Sequence, residues 1–582
     1  MGLSASFQIG RSALNASSLA LQVTGNNLAN AATPGYSRQL VGFAGMGDTR
    51  SGGFLTGGGV RVSGINRQID VALQARHWTG LSAEANAGVD LQVLSQLEST
   101  LNELTDNDLS SEFGRFFDSW SVLSNSPNQE GSRSLVVQQG RTLATHIRGL
   151  RSDLTAIRNQ IDEQLNATVQ QADNMLTQIA DLNRAIIDAE GGGGGGSANN
   201  LRDQRDQLVA GLSTMMDVSV VEQPSGAIDV LIGSTPVVLG TTSRGMEMRR
   251  QTNGNQIDVS VQVRADETQL DISSGAIAGY LGQRNSTVND TIAKLDKIAS
   301  QLIYQVNRVH SVGRGPEAFT TMRGTYAVGS ANQSLSLNNP ANSSFANLPY
   351  AATSGGFLVT VTNAADGQSQ TVRVNVDLDG LNNAGGQGYG DDTSVNSLAG
   401  DLNGIPNLRA SVNSDGTLSI DAEDGFTFEF SEDSSGVLAV LGVNTYFTGT
   451  GAADIGVRQA LIDSPQLLAH GTTVDGAFTD NGAALAILGV RDQSVAALGG
   501  RSITSSWLDT ASTVGARANS ATNRYEASTL VRQSLEAQSA SVSGVSIDEE
   551  SINLLNYQRQ YQGAARFISV IDQLTQELLA IV

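Results

Sequence analysis

Apolar residues recur at helical spacing at both ends of the chain. Near the start, large apolar side chains return every seven residues, and Leu3, Gly10, Ser17 and Thr24 fill the intermediate positions; the large residues are Phe7, Leu14, Leu21 and Leu28. A second stripe near the other end comprises Leu554, Tyr557, Tyr561, Ile568, Ile571 and Leu578. Heptad spacing predicts helices that pack lengthwise, as in a coiled coil.

The helix at the start of the chain is predicted to be unstable by itself. It contains Gly10, Gly25 and many Ser and Asn residues, all of which are poor helix formers. An isolated helix of this composition is marginal in water and needs a partner. We therefore expect the terminal segments to be disordered in the free monomer, and to become ordered when the two apolar stripes pack against neighbouring subunits.

The segments between the termini follow two patterns. Helical spacing continues over residues 71–104, 132–190, 200–215, 277–312 and 502–541. Apolar and polar residues instead alternate over 218–263 and in several runs of the Gly-, Asn-, Ser- and Thr-rich region 313–450. Because such alternation predicts strands, we expect a small sheet beside the helices and a β-rich middle region.

These patterns predict an α+β multidomain protein. Residues 1–70 and 546–582 would form a terminal α-helical coiled-coil core with an adjoining turn and strands. Both chain ends would also contribute to a long-helix bundle, formed by 71–312 and 456–545, with the small sheet inserted near 218–263. The β-rich outer domain would then occupy residues 313–455.

Composition excludes several classes of function. The net charge is −22 over 582 residues and lysine occurs only at Lys294 and Lys297, so binding to nucleic acid or anionic lipid is not expected. The absence of cysteine excludes disulfides, thiolate metal sites and cysteine nucleophiles. No apolar run is long enough for a membrane helix, and the amino terminus lacks the pattern of a Sec signal peptide. We expect a chain that stays in the cytoplasm or leaves without a cleavable signal.

No pattern in the sequence predicts catalysis, a cofactor or a metal site. The histidines are scattered; they are His77, His146, His310 and His470. The run Gly191–Gly196 lacks the Lys-Ser/Thr that follows a phosphate-binding loop, and we assign it no role. Acidic residues at Asp391-Asp392, Asp421–Asp424 and Glu432-Asp433 lack EF-hand spacing, so we interpret them as solvated loops. We predict that the protein is not an enzyme.

A run after the first heptads carries a resemblance to a known family. The sequence from Asn26 to Arg38, NNLANAATPGYSR, resembles the signature shared by flagellar rod, hook and hook-filament junction proteins. The residues that carry this signature turn are Asn26, Asn27, Asn30, Thr33, Pro34, Gly35 and Tyr36. The segment Asn553–Gln562 resembles the carboxy-terminal end of the same axial family.

Three internal stretches are similar to the first of the two kinds of junction protein: Asp203–Leu208, Val306–Gly313 and Leu441–Phe447. The resemblance implies a structural adaptor that joins the bacterial flagellar hook to the filament and is secreted through the flagellar type III apparatus. It also implies partners: the hook protein, the second junction protein, further copies of the chain in a ring, and an export chaperone at the carboxy-terminal helix. Neither nucleic acid nor a membrane is among them.

Four alternatives remain open from the residues. The hook protein shares both terminal signatures, although hook proteins are mostly β between their ends. The second junction protein is usually shorter and lacks the Thr-Pro-Gly-Tyr element. A secreted cell-wall hydrolase would need a catalytic domain, for which 313–450 is the available region. A β-rich adhesin would explain the middle of the chain and neither terminus.

Overall fold

A computed structural model describes residues 2–51, 54–103, 108–191, 197–253, 256–474 and 476–581. Most of the glycine run, Gly192–Gly196, lies outside these residues, as does Leu104 at the end of one predicted helix. Among the described residues no helix is long and apolar enough to cross a membrane.

Long helices form most of both ends of the chain, and shorter helices lie in the middle. They are α1 (Gly2–Ala29), α2 (Val71–Leu101), α3 (Leu109–Asn125), α4 (Glu130–Gly191), α5 (Asn199–Met215), α6 (Gly275–Gly282), α7 (Asn289–Ser311), α8 (Val395–Asn403), α9 (Val437–Val440), α10 (Gln459–Asp463), α11 (Gly482–Val490), α12 (Ile503–Ser543) and α13 (Ile547–Ile581). A π-helical segment, Gln283–Val288, connects α6 to α7 where the sequence predicted one uninterrupted helix.

Strands occupy three regions between these helices. They are β1 (Gln39–Gly45), β2 (Thr49–Ser51), β3 (Phe54–Thr56), β4 (Val60–Arg67), β5 (Ser219–Glu222), β6 (Ile228–Ile232), β7 (Thr235–Leu239), β8 (Thr242–Ser243), β9 (Met246–Asn253), β10 (Gln256–Val263), β11 (Gly313–Arg314), β12 (Thr321–Arg323), β13 (Gly355–Asn363), β14 (Ser369–Val376), β15 (Leu408–Val412), β16 (Leu418–Ala422), β17 (Phe426–Ser431), β18 (Phe447–Thr448), β19 (Gly456–Val457), β20 (Gly471–Val474) and β21 (Ala477–Thr479). The predicted fold class, α+β with long terminal helices and a β-containing middle, is confirmed.

The chain forms two compact units. The first comprises Met1–Val93, Gln160–Asn285 and Ala518–Val582, and the second comprises Leu94–Asn159 and Ser286–Arg517. The three domains predicted from the sequence stay a prediction, because this division follows contacts and cuts within α2, α4 and α12.

In the first unit, α1 contacts α13 and the antiparallel pair formed by β1 and β4. The small sheet predicted near 218–263 is two structures, a four-stranded antiparallel sheet β5-β6-β7-β8 and the hairpin β9-β10. Their apolar faces share a core with the second half of α4 and with α5; its fully buried members include Leu165, Val169, Leu176, Val209, Leu212, Val230, Val238 and Val261. Burial of alternate strand residues against a helical stripe is what holds this unit together.

In the second unit, a three-stranded antiparallel sheet, β14-β13-β17, and the helix α8 enclose an apolar core. A second cluster is aromatic: Phe116 and Trp120 of α3 lie against Tyr446, with ring centroids 5.8 and 5.5 Å from it. All three side chains are fully buried. The hydroxyl of Tyr446 donates to the carbonyl of Val136 at 2.7 Å, so its buried polar atom is paired.

Two of the internal stretches, Val306–Gly313 and Leu441–Phe447, meet in this unit through buried amides. Asn307 Oδ1 accepts from the backbone N–H groups of Tyr446 (3.0 Å) and Phe447 (2.8 Å), and its Nδ2 donates to the Phe447 carbonyl (2.9 Å). Asn444, in the left-handed region at φ +48°, donates to the carbonyls of His310 (2.9 Å) and Gly313 (2.8 Å). Side chains thus replace the strand partner that these backbone groups lack.

His310 is held neutral in this cluster. Its Nδ1 lies 2.7 Å from the carbonyl of Asn444 and donates to it, and its Nε2 accepts from the Ala469 N–H at 3.1 Å. Complete burial lowers the pKa of His310 to about 4, with Arg458 adding to the effect and the bond to Asn444 opposing it. One donor and one acceptor on the ring require the neutral imidazole.

Candidate assembly site at the terminal helices

The buried face of α1 is lined by small and polar side chains. Its buried residues are Gly10, Ala16, Ser17, Ala20, Val23, Thr24 and Asn27. A Cβ atom on Gly10 would lie 2.8 Å from Ile568 Cγ1 and 3.0 Å from Phe567 Cδ1, both on α13. Glycine at this position therefore allows α13 to approach the backbone of α1, at a cost in helix propensity of about 1 kcal/mol. We call the contact between α1 and α13 the terminal seam.

The large residues of the predicted amino-terminal stripe lie away from the buried face. Phe7 and Leu28 are exposed, and Leu14 and Leu21 are half-buried. The intermediate positions of the same repeat, Gly10, Ser17 and Thr24, are buried. The contact of α1 within the chain therefore uses the intermediate positions, because two helices approach closely only where the side chains between them are small. The predicted contact of the large residues with neighbouring subunits stays a prediction.

The predicted stripe on α13 is divided between two faces. Ile571 is buried, and Leu554, Tyr557 and Ile568 are half-buried. Tyr561 and Leu578 are exposed. The structure thus places four of these six residues at or near the terminal seam and leaves two in solvent.

The sequence analysis did not identify a second apolar face of α13, although one of its members, Leu578, was part of the predicted stripe. Phe567, Val570, Leu574 and Leu578 are 45, 53, 47 and 50 % exposed, and we call them the outer face of α13; Phe567 lies at the border of this face with the terminal seam, next to Gly10. Their spacing of three, four and four residues is itself helical, so the signal was present; it was hidden because the residues of the seam are interleaved with it. Ile552 and Leu555, earlier on the same helix, are also exposed.

An open groove of about 660 Å³ lies beside the terminal seam. It is lined by residues of α1, β1, β4 and α13, among them Ile9, Ala13, Phe43, Val60, Tyr557 and Phe567. The rings of Phe43 and Tyr557 lie 6.3 Å apart across it. The groove is apolar along most of its length, which suits it to a large apolar side chain.

Asn27 is the centre of the signature turn. Its Nδ2 donates to the Gln39 carbonyl (2.8 Å) and to Glu550 Oε2 (3.2 Å), while its Oδ1 accepts from the Tyr36 hydroxyl (2.8 Å) and the Gln39 N–H (3.0 Å). The side chain is 1 % exposed, and both donors and both acceptor positions of its amide are used. One residue therefore connects the end of α1, the start of β1 and the first turn of α13.

The rest of the signature completes the turn. Asn30 Nδ2 donates to the Asn26 carbonyl at 2.9 Å and ends the helix, and Thr33 Oγ1 donates to Asn30 Oδ1 at 3.2 Å. Burial, together with the charges of Asp203 and Glu550, raises the pKa of Tyr36 to about 12. The Tyr36 hydroxyl therefore keeps its proton and remains a donor to Asn27.

The Pro34-Gly35 element packs against α5. Gly35 has φ +73°, and a Cβ atom there would lie 2.1 Å from Gln207 Nε2, so only glycine fits. That amide donates to the Pro34 carbonyl at 2.6 Å. Gln207 belongs to the internal stretch Asp203–Leu208, which the sequence alone did not connect with the signature.

Two ion-pair groups close the site. Arg38 bonds to Glu550 at 2.7 Å and to Glu549 at 2.8 Å, and the Glu550 side chain is almost fully buried. Arg67 at the end of β4 bonds to Asp203 (2.9 Å) and Asp206 (2.7 Å). Burial by itself would lower the pKa of Arg67, but these two carboxylates outweigh it and raise the pKa. The sequence did not predict these ion pairs, because a pairing between distant segments leaves no local pattern.

Comparison with known proteins gives three family matches in chain order. Residues 7–36 match the flagella basal body rod protein model, residues 94–318 match the model of the flagellar hook-associated protein FlgK helical domain, and residues 536–581 match the flagellar basal body rod FlgEFG protein C-terminal model. The signature turn and α13 thus fall in the parts that resemble rod proteins.

Curated relatives carry one name. The chain is 24 % identical over 590 residues to flagellar hook-associated protein 1 of Escherichia coli (strain K12), covering 98 % of each chain. It is 28 % identical over 339 residues to flagellar hook-associated protein 1 of Bacillus subtilis (strain 168), covering 52 % of this chain and 66 % of that one. A solved structure of the flagellar hook junction protein FlgK from Burkholderia pseudomallei aligns with a TM-score of 0.47 at 15 % identity, over 80 % of this chain and 99 % of that one.

The resemblance read from Asn26–Arg38 and from the internal stretches is therefore confirmed, and it extends beyond the termini that rod and hook proteins share. With these matches in order along its length, the chain is similar to flagellar hook-associated protein 1 from end to end.

Proposed function

We propose that this protein is a structural adaptor of the bacterial flagellum that joins the hook to the filament. Its place is the hook-filament junction, which it reaches by export. Similarity to hook-associated protein 1 along the whole chain supports this function, and the terminal helices supply a physical means for it.

The proposal rests on one observation: α13 has two apolar faces, and only one of them is covered within the chain. One face packs on α1 at the terminal seam, and the outer face presents Phe567, Val570, Leu574 and Leu578 to solvent. A contiguous apolar face of this kind marks an interaction surface. Burying each such side chain in a contact contributes about 1.5–3 kcal/mol, so a neighbouring subunit that covered the outer face would be bound strongly.

The partners follow from the place in the flagellum. The hook and other axial proteins flank the junction, and we propose that their terminal helices cover the outer face of α13 and the groove beside the seam. We further propose that the second junction protein lies on the filament side and that copies of this chain form a ring. Before assembly, an export chaperone would cover the outer face of α13, because an exposed apolar helix would otherwise self-associate.

We infer that the protein catalyses no reaction. The family is structural, and the fully buried His310 uses both ring nitrogens to bind backbone groups, so it has no free position for proton transfer. A turbidity assay on purified cell walls tests this point against the alternative of a hydrolase.

The function is tested by deleting the gene, imaging the cell surface by electron microscopy and assaying flagellin in the medium. We expect complete hooks without filaments, and flagellin lost to the medium. Filaments of normal number and attachment would contradict the proposal. Loss of the hooks themselves would indicate a component that assembles earlier in the axis.

A further inference from the structure

The loop between β14 and α8 brings together carboxylates that are distant in the sequence. Asp377 directly follows β14, and Asp392 lies just before α8. The Thr393 N–H donates to the Asp377 carbonyl at 2.7 Å, and the Asp377 N–H donates to Thr393 Oγ1 at 2.9 Å, so the two ends of the loop are bonded to each other. Asp377, Asp379 and Asp392 each place one carboxylate oxygen within 4.8 Å of the others.

Among the residues that the structure describes, none of the three carboxylates forms an ion pair with Arg, Lys or His. Like charges at this separation repel one another, and the repulsion grows where water is excluded. The arrangement therefore lacks a positive charge.

Asp392 supplies a second, independent indication of a ligand. It is only 5 % exposed, although a carboxylate is rarely buried without a partner. Its Oδ2 accepts from Asn338 Nδ2 (2.6 Å) and from the Gly380 N–H (3.2 Å). Its Oδ1 is buried and has no hydrogen-bond partner, and the same is true of Asn338 Oδ1 on the adjoining side chain. Buried oxygens left in this state require an explanation, and a bound cation provides one.

We propose that Asp377, Asp379 and Asp392 bind one Ca²⁺ ion, and that the amide oxygen of Asn338 supplies a fourth ligand. Hard cations prefer carboxylate and amide oxygens, and Ca²⁺ accepts the irregular geometry of a loop, whereas Mg²⁺ demands a near-octahedral set. Two of the carboxylates are exposed, so water can complete the coordination. The sequence interpretation of Asp391-Asp392 as a solvated loop does not hold for the side chain of Asp392, which is buried; its hydrogen-bond partners are more than ten residues away in the sequence, so no local spacing reveals them.

The test is calorimetric titration of Ca²⁺ into the full-length, chelator-treated protein, with Mg²⁺ titrated separately. We expect one Ca²⁺ per chain with a dissociation constant of about 0.1–1 mM, in the range of extracellular calcium modules, and weaker binding of Mg²⁺. The double variant Asp377→Asn/Asp379→Asn and the single variant Asp392→Asn should each weaken binding by at least about tenfold, because fewer charged ligands remain.

Asp424→Asn is the matched control. Asp424 is an exposed aspartate in the same β-rich region, outside the carboxylate cluster, and its replacement removes the same charge. The double variant changes exposed side chains only, so it tests the site even if the buried Asp392→Asn change prevents folding. Absence of saturable binding by the unaltered protein, unchanged binding by the double variant, equal weakening by Asp424→Asn, or tighter binding of Mg²⁺ would each overturn the proposal.

Discussion

The terminal seam and the buried cluster around Asn307 pack helices in opposite ways. At the seam, the buried side chains of α1 are small, and most large apolar residues of both helices, Ile571 excepted, remain partly or fully exposed. Around Asn307 the large side chains are inside: Phe116, Trp120 and Tyr446 are fully buried, and the Tyr446 hydroxyl is paired with a backbone carbonyl. The second region is complete by itself, whereas the first has apolar surface that is covered only when something else binds.

This difference has an energetic consequence. A fold with a closed core is stable as a monomer, whereas a helix pair with small contacting residues gains little from its own packing. The remaining stabilisation of α1 and α13 must come from neighbours. Substitutions should therefore be costly around Asn307 and milder at the seam, and changes on the outer face of α13 should affect assembly without affecting stability.

The largest effect is expected for Asn307→Ala. The change leaves two N–H groups and one carbonyl of Tyr446 and Phe447 unpaired in a place that water does not reach. We expect a loss of about 4 kcal/mol in the free energy of unfolding of the second unit, measured by urea denaturation. Asn347→Ala, at an exposed asparagine, is the control and should change it by less than about 0.5 kcal/mol. Equal effects would remove the contrast between the two regions.

The next largest effect is expected as a loss of folding stability at acidic pH. The pKa of His310 is depressed to about 4 in the folded protein, below its ordinary value of 6.5, so the unfolded chain binds the proton more readily. Its contribution to stability is full above pH 6.5, and falls by about 3 kcal/mol as the pH drops to 4. Denaturation across this interval measures the slope. In His310→Gln the part of the slope due to this residue should be absent; an unchanged slope would refute the assignment.

Asn27→Ala should have a smaller effect than Asn307→Ala, although Asn27 makes four hydrogen bonds. Its partner Tyr36 is only half-buried, so water can replace that bond, and Glu550 keeps its bond to Arg38. We expect a loss of about 2 kcal/mol, visible as faster hydrogen exchange at the start of β1 and of α13. Asn26→Ala, the exposed neighbour, serves as the control, and equal exchange in the two variants would contradict the central position of Asn27.

The smallest effects are expected for substitutions of two glycines of α1, which should change stability in opposite directions. Gly10→Leu forces a side chain against Ile568 and Phe567 and should weaken the terminal seam by about 1–3 kcal/mol. Gly25 has no atom within 4 Å of its Cβ position, so Gly25→Leu should instead strengthen the helix by up to about 1 kcal/mol. Hydrogen exchange of α1 measures both. A common direction for the two variants would show that propensity, rather than close approach, decides the seam.

The sequence predicted best where one signal repeats over many residues. The predicted helix 132–190 is observed as Glu130–Gly191, because its apolar residues keep 3–4 spacing without interruption. The sequence predicted that the two terminal segments share one helical core, but it did not show that small residues line the contact between them, because small residues carry no hydrophobic signal. The ion pairs beside the signature turn were not predicted for a different reason. Arg38 and Glu550 are 512 residues apart in the sequence, and Arg67 and Asp203 are 136 residues apart. Only the fold brings them together.

The central claim, that neighbours complete the terminal helices, is tested most directly by Leu574→Glu on the outer face of α13. Gln573→Glu is the matched control, since it adds the same charge at an adjacent, exposed position. Each variant is expressed in cells that lack the gene, and attached filaments are counted by electron microscopy, with the melting temperature of the purified protein measured alongside. We predict an unchanged melting temperature for both, normal filaments with Gln573→Glu, and few or none with Leu574→Glu. Normal filament numbers with Leu574→Glu would contradict the account.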